Sequence, residues 1–233
     1  MSALAGLRSV IVDAQTALLH AAVTARVPRF IPSDYSIDFT KLPPGSNRNL
    51  DLRRDFHAVL ARADIKATSI YNGAFADMLT GQAPLVLFKR RRIFFWGNAD
   101  QLMDFTSVDD TATYTAFAAL DPTTPRALCI AGDQLTPRGL AAVMTEPTGQ
   151  PYKLLRPAGL GAFGVMIKVT KALMPTTDEL YPPWQGMQYL HNMLSGLATH
   201  ASLDNGRYPL TRWTTARDVL AAHLKATATP PGA

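Results

Sequence analysis

Residues 28–35, PRFIPSDY, form the stretch of sequence that decides the fold. A short apolar run ends at Pro32 and is followed by small polar residues, which is typical of a strand that runs into a loop. Apolar residues at steps of three and four predict helices over residues 4–25 and 50–63, and residues 67–71 read as another strand. Helix, strand, helix, strand with short connections predicts a parallel sheet covered by helices, so the fold class is α/β.

The remainder of the chain adds elements of both kinds. Residues 85–88, 93–96 and 127–130 are predicted to be extended, and residues 109–120, 139–145, 160–173 and 216–225 are predicted to be helical. Residues 175–209 are rich in Pro, Trp, Tyr and Met and show no clear period. We therefore expect a sheet-bearing part over residues 1–150 and a smaller C-terminal lobe over residues 151–233.

Composition excludes several classes of protein. The 233 residues are 47% hydrophobic and 18% charged, which is typical of globular domains rather than disordered chains. The single cysteine, Cys129, closes no internal disulfide, so a cytoplasmic location is expected. Charged residues such as Asp13 and Lys168 interrupt the apolar runs before they reach spanning length, and no membrane partner is predicted.

Five stretches occur in an order that resembles one protein family. They are the helix with Gln15, the PRFIPSDY segment, the helix with Leu52-Arg53-Arg54, the turn Asn72-Gly73-Ala74-Phe75, and residues 105–111, FTSVDDT. Together they resemble the NmrA-like and isoflavone-reductase-like branch of the atypical short-chain dehydrogenases. The resemblance covers roughly residues 4–149 and implies an oxidoreductase-type protein that binds NAD or NADP and a small-molecule ligand.

The family's phosphate-binding unit has no counterpart in this sequence. Members begin with a strand, a GxxGxxG turn and a helix, whose backbone amides and dipole hold the dinucleotide pyrophosphate. No such unit precedes Arg29 here. The resemblance therefore implies an incomplete Rossmann-like parallel sheet, a cofactor site that is incomplete in this chain, and self-association through an exposed sheet edge.

The proton-transfer residues of the family are also missing. Common short-chain dehydrogenases place a Tyr four residues before a Lys, and no lysine of this chain has a tyrosine at that position. The isoflavone-reductase branch has a Lys three residues before an Ile-Arg-Arg sequence, and the register of Leu52-Arg53-Arg54 puts Asn49 there. Two functions stay open: an oxidoreductase or epimerase-like enzyme that uses other residues, and a non-catalytic dinucleotide-sensing regulatory or interaction protein.

Residues at the carboxyl ends of two strands are the candidate site, because parallel folds bind ligands there. The alternatives are a simple turn or helix cap for Ser33 and Asp34 and core packing for Phe75. Gln15 faces either the same cleft or water. The predicted cofactor-binding residues are Pro32, Ser33, Asn72 and Gly73, and the predicted substrate-pocket residues are Asp34, Tyr35, Asn49 and Phe75.

Three further patterns are given structural explanations. Residues 159–164 read GxGxxG, but no second strand with an acidic end follows, so a close-packed helix start is favoured over a dinucleotide turn. Residues 89–92, KRRR, precede aromatic residues, and a hairpin with Gly97-Asn98 as its turn and a solvated basic edge is favoured over nucleic-acid binding. The five histidines show no metal-ligand spacing, so no metal site is predicted.

Overall fold

The computed structural model describes residues 1–175, 178–210 and 212–228. Its helices are α1 (Gln15–Thr24), α2 (Arg48–Leu60), α3 (Val108–Leu120), α4 (Pro137–Thr148), α5 (Leu160–Leu173), α6 (Pro183–Ser195) and α7 (Ala216–Ala228), and a π-helical segment, Ser9–Ala14, leads into α1. Its strands are β1 (Arg29–Phe30), β2 (Lys66–Ala67), β3 (Ser69–Tyr71), β4 (Ala74–Phe75), β5 (Val86–Leu87), β6 (Arg92–Phe94), β7 (Met103–Thr106), β8 (Ala127–Cys129), β9 (Asp133–Leu135) and β10 (Lys153–Leu155).

A parallel sheet carries the predicted site. β1 pairs in parallel with β2, and β3 pairs in parallel with β8. Only Thr68 separates β2 from β3, and its N–H donates to the carbonyl of Phe30 at 3.1 Å. The parallel order is therefore β1, then β2 with β3, then β8, with α2 covering Phe30. The α/β class and the parallel pairing of the PRFIPSDY strand are confirmed.

β1 lies at the edge of this sheet. In the part of the chain that the structure describes, no strand pairs with its other side. Instead the N–H of Ser2 donates to the carbonyl of Ile31 at 2.8 Å, and the hydroxyl of Ser33 donates to the carbonyl of Leu4 at 2.6 Å. Residues 2–4 thus lie beside the end of the strand. Self-association through this edge stays a prediction.

The remaining strands form two smaller sheets, and one of them contains a hairpin whose turn differs from the predicted one. β7 lies between β4 and β9, and β6 lies between β10 and β5. β5 and β6 are antiparallel, but their turn is made by Phe88–Arg90 and by Arg91, whose φ of 50° is left-handed. Gly97 comes after β6 and packs beside Leu160 instead. The basic run therefore forms the turn and enters a central strand rather than an edge strand, and Lys89, Arg90 and Arg91 are exposed as predicted.

Helix α6 corrects the expectation that residues 175–209 have no clear period, because Trp184, Met187, Leu190 and Leu194 recur at helical spacing along it. Its buried residues are apolar Trp184, Leu190 and Leu194 and polar Gln185, Gln188 and Asn192. Gln185 donates to the side chain of Asn47 at 2.7 Å, so part of the buried face is amide rather than hydrocarbon. The buried amides complete the face without adding to its hydrophobic period.

The largest apolar core contains residues from both sides of the predicted division at residue 150. It joins side chains from β6, β7, α4, α5, α6 and α7, and β10 pairs with β6 in parallel. Three smaller clusters surround the parallel sheet. None of the helices within the described ranges is long and apolar enough to cross a membrane.

Candidate functional site

The two predicted strand ends lie side by side. The loop after β1 reaches Ser36, which pairs with Tyr71 in an isolated parallel bridge. The N–H of Asn72 donates to the carbonyl of Ser36 at 3.1 Å. Because both strands run the same way, the residues that follow them meet at one carboxyl edge, as the sequence predicted.

Asn72 is the most unusual residue at this edge. Its relative exposure is 0%, and neither its Nδ2 nor its Oδ1 has a hydrogen-bond partner among the residues that the structure describes. Its backbone is satisfied, since its carbonyl accepts the Thr106 hydroxyl at 2.6 Å. A buried amide without partners costs about 1–3 kcal/mol, so the side chain is suited to a ligand that supplies both an acceptor and a donor.

Gly73 is required by the packing of the strand ends. Its φ is +68°, and a Cβ at this position would lie 2.6 Å from the carbonyl carbon of Asp104. A side chain would therefore be strained and would also push β7 away. The glycine brings the Asn72 turn into direct contact with the neighbouring strand.

Ser33 and Pro32 hold the β1 loop in place. The Ser33 N–H donates to Oε1 of Gln15 at 2.8 Å, and the Ser33 carbonyl accepts the Arg53 Nε at 3.0 Å. With its hydroxyl on Leu4, Ser33 has internal partners for all its polar groups. The Pro32 carbonyl accepts the Asp34 N–H at 2.9 Å. Gln15 is fully buried and its Nε2 donates to the carbonyl of Ile11 at 2.9 Å, so both ends of its amide are satisfied inside the protein rather than by water or a ligand.

Asp34 points into the layer between the sheet and α2. Its Oδ2 lies 2.6 Å from the His57 Nε2, and the Ser69 hydroxyl lies 3.4 Å from the same nitrogen. Arg126 donates to that hydroxyl at 2.9 Å. Asp34 is 1% exposed, and its Oδ1 has no hydrogen-bond partner within the described ranges. The carboxylate is therefore part of a buried polar network that fixes α2 on the sheet.

The two predicted aromatic walls, Tyr35 and Phe75, have different packing neighbours. Tyr35 packs beside the cluster that contains Ile31 and Tyr114, and burial raises the pKa of its phenol, opposed by a hydrogen bond with Thr115. Phe75 is half-buried in β4 opposite Thr106. Their placement as two walls of one pocket stays a prediction.

Asn49 lies where α2 meets the C-terminal lobe. Its Nδ2 donates to the carbonyl of Leu180 at 3.0 Å, and its side chain also hydrogen-bonds Tyr189 of α6. Burial raises the pKa of the Tyr189 phenol, and the positive charge of Arg53 opposes that shift. One turn beyond Asn49, Arg53 joins this interface to the β1 loop, because it donates to the carbonyls of both Ser33 and Asn49.

Sequence reasoning missed Arg53, His57 and Tyr189 as site residues. A signal was present for two of them, since Asn49, Arg53 and His57 recur at steps of four and so share one face of α2. Arg53 and His57 on this face hydrogen-bond Ser33 and Asp34 of the loop after β1. Tyr189 was missed because no helix was predicted over α6.

Two titratable residues border the other side of the Asn72 turn. His200 is buried, and its Nε2 lies 3.9 Å from Asp104 Oδ2. Desolvation lowers the pKa of His200, against the opposing charge of Asp104. Burial also raises the pKa of the Cys129 thiol to about 11. No group of His, Cys, Asp and Glu that could hold a metal ion occurs within the described residues.

The GxGxxG sequence lies between a strand and a helix, but the second parallel strand of a dinucleotide-binding unit does not follow it in the described residues. β10 precedes it and α5 follows it, yet the next described element after α5 is α6 rather than a second parallel strand. Gly164 faces His191 of α6, and a Cβ added to this glycine would lie 3.8 Å from the His191 Nε2. Close helix packing at Gly164 fits the interpretation made from the sequence.

Known structures share this fold. AtPrR2, solved with NADP+ and (+)pinoresinol, superposes with a TM-score of 0.75 at 20% identity, over 95% of this chain and 74% of that chain. Leucoanthocyanidin reductase from Vitis vinifera, solved with NADPH, gives a TM-score of 0.72 at 15% identity over 91% and 70% of the two chains. Isoflavone reductase gives 0.71 at 17% identity over 89% and 70%.

No protein-family model and no curated protein sequence matches this chain. The structural likeness therefore rests on the arrangement of elements rather than on sequence. The fold expected from the resemblance is confirmed: this chain has the fold of the isoflavone-reductase-like, NADP-binding reductases over almost its whole length.

Proposed function

We propose that this chain supplies the nicotinamide and substrate side of an NAD(P)-dependent, oxidoreductase-type site that acts on a small molecule. The observation that carries the proposal is the buried Asn72 amide at the carboxyl edge of the parallel sheet, whose two polar atoms have no partner in the described part of the chain. The structural neighbours solved with NADP+ or NADPH support it.

The residues at this edge fit the nicotinamide end of the cofactor. A carboxamide offers one acceptor and two donors, which complement the Nδ2 and Oδ1 of Asn72. The bound cofactor would supply a hydride. Arg53, held on the Ser33 carbonyl, would place a fixed positive charge beside the site, and Tyr189 would close it from α6.

Nothing in this sequence matches a phosphate cradle of the GxxGxxG type before β1. The proposal therefore predicts a graded preference among fragments of the cofactor. Nicotinamide mononucleotide should bind, whereas adenosine monophosphate should not, since the adenosine half depends on the cradle. Saturation-transfer NMR on the full chain with each fragment tests this.

A non-catalytic sensor is the second candidate, and Asn49 favours it. An amide cannot serve as the proton donor that the resemblance implies at that position, and here it is held by Leu180 and Tyr189. Incubation with NADPH and pinoresinol or related ligands separates the two functions. Nicotinamide binding without loss of reduced cofactor supports the sensor, and ligand-dependent oxidation of the cofactor supports the enzyme.

A further inference from the structure

Positive charge is concentrated in two stretches of this chain. No Asp or Glu occurs between Asp77 and Asp100 or between Glu146 and Asp178. These stretches hold eight of the 23 Lys and Arg residues and none of the 18 Asp and Glu residues, so the rest of the chain, with 15 cations and 18 anions, is net negative. The eight cations are Lys89, Arg90, Arg91, Arg92, Lys153, Arg156, Lys168 and Lys171.

The fold brings the two stretches together. β6 from the first pairs in parallel with β10 from the second, which sets Arg92 directly opposite Lys153. Like charges in direct cross-strand register oppose pairing. Within the described residues none of the eight cations has an Asp or Glu partner, whereas seven other Lys and Arg residues do.

Helix α5 covers the face of the β10-β6-β5 sheet from which the Arg92 side chain projects. Strand alternation puts Arg92 and Phe94 of β6 on one face. The Phe94 ring makes an edge contact with the Trp96 ring just beyond the strand, with centroids 6.1 Å apart. Phe163 of α5 stacks on Trp96 with ring centroids 4.7 Å apart and planes inclined by 3°. The side of α5 opposite Phe163 therefore faces away from the sheet in the direction in which Arg92 points.

That outer side of α5 is apolar and exposed. Val165 is 61% exposed, Val169 52% and Leu173 78%, at successive steps of four. Lys168 lies between them and is exposed as well. Large aliphatic side chains repeated along one helix face, flanked by cations, are characteristic of surfaces that dock on lipid.

We propose that the surface formed by residues 89–92, Lys153 and the outer side of α5, here named the basic-aliphatic face, docks on anionic lipid bilayers. The cations would contact the headgroup phosphates and carboxylates, and the α5 side chains would enter the interface. The proposal is independent of the proposed function. It departs from the expectation of no membrane partner, which rested on the absence of a spanning run.

Other occupants fit this face less well. A second copy would bring one set of cations without acidic partners against another such set. A single-stranded nucleic acid needs exposed aromatic rings to stack on, but Phe95 and Trp96 are 2% and 7% exposed and belong to the core, and Phe94 is half-buried and packs against that core. Aliphatic residues beside cations match the chemistry of a bilayer surface.

Co-sedimentation of the full chain with vesicles tests the proposal. We expect binding to phosphatidylcholine vesicles that contain about one third phosphatidylserine and not to pure phosphatidylcholine. The triple variant Lys89→Gln, Arg90→Gln, Arg91→Gln should lower the partition coefficient about 100-fold. The matched control Arg26→Gln, Arg62→Gln, Lys66→Gln removes the same charge from another surface and should change it little.

A second pair of variants tests the aliphatic part. Val169→Glu should weaken vesicle binding, whereas Leu120→Glu, at an 83% exposed position on α3, should not. The proposal is overturned if wild type does not bind the anionic vesicles, if both triple variants bind equally, or if Val169→Glu has no effect. Salt-sensitive binding of a single-stranded oligonucleotide in place of vesicles would assign the face to nucleic acid instead.

Discussion

Replacing Gly73 by Ala tests how tightly the Asn72 turn is held. A non-glycine residue at a left-handed φ costs about 1–2 kcal/mol. The added Cβ would also lie 2.6 Å from the Asp104 carbonyl carbon, which is backbone and cannot rotate away. Forcing an extra methyl into such a contact costs about 1–3 kcal/mol more, so we expect a total loss of about 2–5 kcal/mol in the free energy of unfolding.

Gly45 supplies the matched control. Its φ is +80°, and a Cβ there would meet nothing within 4 Å. Gly45→Ala should therefore show only the conformational cost, and urea unfolding compares the two. With an m-value of about 3 kcal/mol/M, the midpoint of Gly73→Ala should fall about 0.3–1 M below that of Gly45→Ala. Equal midpoints would refute the close contact between the turn and β7.

Three further predictions concern buried polar groups. His57→Leu removes the hydrogen-bond partner of the buried Asp34 carboxylate and should lower the free energy of unfolding by about 3 kcal/mol or more. The control His20→Leu, at an exposed position, should lower it little. Equal melting temperatures of the two variants in thermal unfolding would contradict the buried network. Because burial lowers the folded-state pKa of His200, the unfolded chain binds its proton first as the pH falls. The free energy of unfolding should therefore decrease from pH 7 toward pH 5, by at most about 1.4 kcal/mol per pH unit for this group. His200→Gln should make this dependence on pH less steep. The same dependence in the variant and the wild type would contradict a lowered pKa of His200. Cys129, with a pKa of about 11, should be alkylated by iodoacetamide at pH 8 at least about 100-fold more slowly than free cysteine, and a similar rate would show an accessible thiol.

The parallel part of the fold could be predicted because its signals are local. The strand at Arg29 and Phe30 and the helix with Phe56 each have one apolar face, and the loop after each strand is polar. The position of Asn72 beside Ser36 follows from parallel pairing alone. These features need no knowledge of distant contacts.

The functional role of each side chain could not be read in the same way. Ser33 and Asp34 are polar residues at a strand end, and the sequence cannot show that Gln15, Arg53 and His57 satisfy most of their polar groups. Partners of this kind lie 18 to 23 residues away and depend on how the helices pack. Helix α6 was missed although its apolar residues recur at helical spacing, and only the partners of its buried amides depend on residues far along the chain.

The nicotinamide fragment experiment tests the central claim most directly. Saturation transfer from the full chain should reach the ring protons of nicotinamide mononucleotide, and Asn72→Leu should abolish it while the protein stays folded. Adenosine monophosphate should receive no transfer from either protein. Transfer to adenosine monophosphate alone, or transfer to the nicotinamide that persists in Asn72→Leu, would contradict a nicotinamide site at this edge of the sheet.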